Sequence, residues 1–144
     1  MGAWAFNSIE NDDALDWLDE LFASNNMSMV TLALDNVLNT KDYLDLEVCN
    51  QALAATEVVY GALILNDEAV NSMVTEWLLE KNDKGKKVIF NNIHITKTIN
   101  VIKKILSDSE LKELWLESEE FNSWQQHLSQ RLTKLDMIRE IDLT

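Results

Sequence analysis

Two histidines, one cysteine and a run of carboxylates are the residues of this 144-residue chain whose types could do chemistry. His94 and His127 are the candidate bases, and nucleophilic catalysis through a serine or Cys49 requires one of them within hydrogen-bond reach of the nucleophile. His94 lies in the apolar run Ile93-His94-Ile95, and His127 follows Gln125-Gln126 on a helical face, so both read as structural or solvated side chains. Cys49 sits in the least polar stretch and reads as a buried, inert thiol. Neither phosphate-binding glycine signature, G-x-x-x-x-G-K-[ST] or G-x-G-x-x-G, occurs, and no Cys/His cluster has zinc spacing. The expectation is a protein that is not an enzyme, with no catalytic residue, no cofactor and no metal.

The carboxylates Asp12, Asp13, Asp16, Asp19 and Glu20 are the remaining cluster. A calcium loop of the EF-hand type places its ligands on a turn with glycine at the sixth position, whereas this stretch has helical periodicity and no glycine. Projected on a helix, the five acids fall within about 120° of arc, opposite an apolar face. Asp12/Asp16, Asp16/Glu20, Asp13/Asp16 and Asp16/Asp19 are then like-charge neighbours, each unfavourable by roughly 0.2–0.5 kcal/mol. One reading is a solvated acidic face, with Trp4 packed on Trp17; the other is a docking face for a basic protein.

Charge along the chain favours a protein partner. The net charge is −13, divided as −14 over residues 1–80, +6 over 81–106 and −5 over 107–144. Such a field repels nucleic acid and anionic membrane and attracts basic proteins. Lys81, Lys84, Lys86, Lys87, Lys97, Lys103 and Lys104 form a basic island, but aromatic residues do not alternate with them, so they read as internal balance for the acidic helices. The expected partner-binding residues are Asp13, Asp16, Asp19 and Glu20, with Asp42, Asp45 and Glu47 further along.

The elements that must position these residues are helices. There is no proline, and only three glycines are present. Apolar spacing predicts helices at about 12–23, capped by Asn11 or Asp12, at about 28–38, capped by Ser28, and at about 46–65, the central helix. The polar stretch Asn39 to Asp45 connects the last two. A fourth helix follows a cap at Asp67, with Val70, Met73, Val74, Trp77 and Leu78 inward, and breaks near Asn82, Asp83 and Gly85.

Residues 86–96 admit a hairpin around Asn91-Asn92, but Ile95, Ile99, Ile102 and Ile105 favour a helix over about 92–106. Ser107 and Glu110 have capping-box spacing for the next helix, and a final one carries Phe121, Trp124, Leu128, Leu132 and Leu135 inward. The tryptophans fall mainly on apolar faces and read as core. The fold class expected is all-α, a single helical domain over 1–144 with about six helices, the short hairpin near 86–96 being the open alternative. A chain of this length buries roughly 68–70% of its unfolded surface in one core. The first residues lack a signal-peptide pattern and Phe6 replaces the Ser/Thr of a myristoylation motif, so the expected location is cytoplasmic.

Met1-Gly2-Ala3-Trp4 followed by Glu10-Asn11-Asp12-Asp13-Ala14-Leu15-Asp16-Trp17 resembles the opening of a bacterial family, domain-of-unknown-function family 4259. Further similarity lies in Asp42-Tyr43-Leu44, in Ala52 to Val59, and in Asp108 to Trp115 with Glu117-Ser118 and Trp124. Members usually carry Gly-x-Gly and then an aromatic residue after the first Trp, where this chain has Ala5-Phe6-Asn7 and Ile9. The resemblance implies a small, mostly helical domain and brings no activity with it. With that, the leading expectation is an immunity-type inhibitor that neutralises a basic toxin domain, such as a nuclease, through the acidic surface. The alternative is a stand-alone helical adaptor or oligomeric protein.

Overall fold

The computed structural model describes residues 12–64, 67 and 69–143. Among them are seven helices and no strand: α1 (Asp12–Ser24), α2 (Ser28–Leu38), α3 (Leu46–Leu63), α4 (Ser72–Asp83), α5 (Asn92–Ser107), α6 (Glu110–Leu116) and α7 (Phe121–Leu143). The proposed cap Asn11 and the packing of Trp4 on Trp17 lie outside the described residues.

α3 is the central helix because its buried residues run around the whole helix and not along one stripe. An unbroken run from Ala52 to Gly61 is buried, and α1, α2, α4, α5 and α6 all pack against it. α5 is the second core helix, with Ile95, Ile99, Ile102 and Ile105 fully buried at the predicted spacing and α2, α3, α6 and α7 around it. Gly61 lets α4 approach α3: a Cβ there would meet Val70 Cγ1 at 3.1 Å and Leu78 Cδ1 at 3.2 Å.

The chain reversals follow from local chemistry. Asn25 adopts φ 54 after α1, where its N–H reaches Leu21 O at 2.8 Å, a left-handed position that asparagine tolerates. α4 ends in a Schellman motif at Gly85 (φ 72), with Gly85 N–H on Asn82 O and Lys86 N–H on Lys81 O.

Four expected boundaries are corrected. The third helix stops at Leu63 and not at Leu65. Asn71, not Asp67, caps α4, accepting from Met73 N–H at 2.8 Å: α4 begins only at Ser72, and the Asp67 carboxylate accepts instead from Tyr60, Lys134 and Ala69 N–H. Ser109, not Ser107, caps α6, since α5 continues through Ser107. Ser28 is the first residue of α2, and its own N–H is received by the Asn26 side chain at 3.2 Å.

Residues 86–91 form no hairpin. Asn91 caps α5, its Oδ1 accepting from Ile93 N–H and His94 N–H while His94 Nδ1 receives Asn91 N–H. The asparagine pair therefore opens a helix where a turn was the alternative.

Candidate partner-binding surface

α1 presents its acids because Ala14, Trp17, Leu18 and Leu21 bury the opposite face. Asp12, Asp16, Asp19 and Glu20 are exposed, and none has an ion pair or side-chain hydrogen bond among the described residues. Asp13 differs. It is half-buried and accepts from Asn50 Nδ2 on α3 at 3.2 Å, so it ties α1 to the core helix.

The two edges of the stripe meet different surroundings. Glu20 lies beside Trp17, Leu32, Ala33 and Gln51 around a groove of about 200 Å³ between α1, α2 and α3. Leu32 is 62% exposed there, an apolar side chain in a groove whose one charged lining residue is Glu20. Asp19 lies on the other edge, in a depression of about 440 Å³ shared with Phe22, Trp77 and Lys81.

The second group of expected residues separates into roles. Glu47 is exposed one turn before Asn50 and Gln51, on the side of α3 that faces α1, and so extends the stripe. Asp45 caps α3, accepting from Val48 N–H at 3.0 Å. Asp42 is exposed in the connection between α2 and α3.

Sequence reasoning missed a contribution from α6. The Glu110 carboxylate accepts from Leu46 N–H at 2.7 Å, a second acceptor at the start of α3, while Glu110 N–H donates to Leu44 O at 2.9 Å. Tyr43, 54% exposed, donates its hydroxyl to Glu113. That hydrogen bond, with Glu110 and Asp108 nearby, pushes the phenol up to about 12. The acids of α6 thus stand beside Asp42 and Asp45. Spacing alone gave no sign of this, since some 70 residues separate Tyr43 from Glu113.

Part of the lysine island is consumed internally, as expected. Lys97 pairs with Asp35 at 2.8 Å and Lys84 with Glu80 at 2.8 Å. Lys104 donates to Val37 O and Thr40 O at the C-terminal end of α2, where a cation also complements the helix dipole. Lys81 lies 5.6 Å from the Trp77 ring centroid. Lys86 and Lys87 are exposed and have no ion pair among the described residues.

A buried electrostatic site was not anticipated. Glu57 on α3 pairs with Arg131 on α7 and accepts from Asn71 N–H at 2.8 Å. Arg131 also donates to Ala69 O at 2.9 Å and stacks 4.2 Å from the Tyr60 ring centroid. Tyr60 donates to Asp67 at 2.6 Å, and Lys134 donates to the same carboxylate at 3.1 Å. Burial pushes Glu57 upward against the pull of Arg131 and the Asn71 N–H. Burial also raises Asp67, but the Tyr60 hydroxyl, Ala69 N–H and Lys134 outweigh it and hold that carboxyl at about 2. These groups clamp Asp67, Ala69 and Asn71, ahead of α4, between α3 and α7. A signal existed: Glu57 is the lone charge in the apolar run of α3, and Arg131 falls on the stripe of Trp124, Leu128 and Leu135. Leu132, expected inward, is only partly buried.

The residues first considered for catalysis have other surroundings. Burial pushes the Cys49 thiol up to about 11. His94 closes the α5 cap. Burial, reinforced by Arg131, lowers His127 to about 4, so it is a neutral ring at neutral pH. The described residues contain no group of three His, Cys, Asp or Glu arranged to hold a metal ion, and no helix among them is long and apolar enough to cross a membrane.

A family model described as a domain of unknown function, DUF4259, matches residues 2–127. The chain belongs to the DUF4259 family. No curated protein and no solved structure matches it. The DUF4259 match takes in α1 to α6 and the first turns of α7, including the acidic stripe and Glu57, and ends before Arg131.

Proposed function

We propose that this protein is an immunity-type inhibitor, which docks on a basic toxin domain such as a nuclease through its acidic face. The observation that carries the reading is the set Asp12, Asp16, Asp19 and Glu20, exposed together on α1 without an internal cation among the described residues. Like charges at helical spacing destabilise the helix that bears them, so a foreign cationic surface is the natural partner. The groove beside Glu20, with Leu32 exposed, offers an apolar anchor point next to the acidic stripe. Opposite charge raises association toward about 10⁸–10⁹ M⁻¹s⁻¹ at low salt, which suits an inhibitor that must act before damage occurs.

The test is to express the basic domains encoded by neighbouring genes with and without this protein, scoring survival and complex formation. Rescue by the wild type, with slower association of the Asp16→Lys/Glu20→Lys variant, supports the proposal. Absence of any toxic neighbour, or an association rate that ignores the reversal, counts against it.

A further inference from the structure

The depression beside Asp19 does not end at α4. It adjoins a second depression, of about 390 Å³, across Asn25 and Lys81, which line both, so the two make one extended surface. At one end stand the exposed acids Asp19 and Glu76, over the Phe22–Trp77 ring pair, whose centroids are 5.2 Å apart; Glu80 and Lys84 on the same rim neutralise each other as an ion pair, and Lys81 lies toward the middle. At the other stand Lys86 and Lys87 with Ile89, which is 77% exposed. Asp19, Glu76, Lys86 and Lys87 have no ion pair among the described residues.

We propose that this surface is a homodimer interface. A two-fold axis lying across a groove reverses its direction, so a surface with unpaired acids at one end and unpaired lysines at the other is complementary to itself in charge. About an axis near Asn25 and Lys81, Asp19 and Glu76 of each copy face Lys86 and Lys87 of the other. Ile89 of each copy then covers the Trp77 depression of its mate. A foreign partner of one charge sign would match only half of the surface, which is why a second copy is the occupant. Mutual repulsion of the two acidic chains acts at longer range and is screened beyond about 8 Å at physiological ionic strength. The surface is separate from the Glu20 groove but takes Asp19 from the acidic face of α1, so the dimer leaves Asp12, Asp16 and Glu20 for a basic partner; the dimer itself does not rest on the inhibitor reading.

Sedimentation equilibrium at high micromolar concentration reads the outcome. The wild type is expected to be a dimer, and Lys86→Glu/Lys87→Glu and Asp19→Lys/Glu76→Lys are each expected to be monomers. Their equimolar mixture should regain the dimer mass, because every contact between the two variants is again of opposite sign. Lys41→Glu/Lys103→Glu, which has the same net charge as the first variant but lies away from this surface, should remain dimeric. Ile89→Ser, at an exposed position that places little demand on the fold, should weaken the dimer by about tenfold or more. A monomeric wild type, a dimer that survives both reversals, or a mixture that stays monomeric would each overturn the proposal.

Discussion

Glu57 and Arg131 form an ion pair across α3 and α7 in which neither side chain reaches solvent, at 0% and 4% exposure. Removing one partner leaves the other charge buried without compensation. Arg131→Met should therefore lower the unfolding free energy by about 3–5 kcal/mol, measured by urea denaturation. Joint replacement with Glu57→Leu should recover part of that loss, because no charge then remains inside. A double variant no more stable than the single one would contradict this account.

His127 sets a pH window. Its folded value near 4 lies below the ordinary 6.5, so between those values the unfolded chain binds a proton that the fold refuses. Stability should fall as pH drops through 6.5 toward 4, by about 3 kcal/mol at most. His127→Gln should flatten that limb. Asp67, held at about 2, acts lower: its contribution is present above 3.8 and lost as pH falls toward 2. Urea midpoints collected across pH separate the two windows.

On α1 the acids work against the helix. Asp16 has Asp12, Asp13, Asp19 and Glu20 as helical neighbours, so Asp16→Lys should stabilise the protein by about 1 kcal/mol at low ionic strength. Thermal melting at low and high salt checks this, with the gain shrinking as salt screens it. A loss of stability would mean that Asp16 has a structural role.

Asp45 and Glu20 should part company. Asp45→Ala removes the α3 cap and should cost about 1 kcal/mol in unfolding. If Asp45 acts only as a cap, partner association is unchanged by that substitution and slowed by Glu20→Lys.

Gly61→Ala weighs two opposed effects. Helix propensity favours alanine by about 0.8–1 kcal/mol. The new methyl, however, meets Val70 and Leu78 at 3.1 and 3.2 Å, and the branched Val70 has little freedom to withdraw. Overpacking of this kind costs about 1–3 kcal/mol, so a net destabilisation of about 1 kcal/mol is expected from urea denaturation.

The helices were legible in the sequence because each buries one face and apolar spacing reports that face directly. Ile95, Ile99, Ile102 and Ile105 marked α5 against the hairpin, and the apolar run of residues 52–61 marked α3 as central. The clustering of acids on one side of α1 was equally legible, since it depends only on the helical repeat. Partnership between distant residues was not. Whether an acid is free or engaged depends on what another element brings to it: Asp13 meets Asn50, Asp67 meets Tyr60 and Lys134, and Tyr43 meets Glu113. The adjoining depressions that hold Asp19 and Lys86 likewise exist because α1, α4 and the segment before α5 converge. Local periodicity determined which residues turn inward; only tertiary packing decided which of the polar ones would be left facing solvent alone.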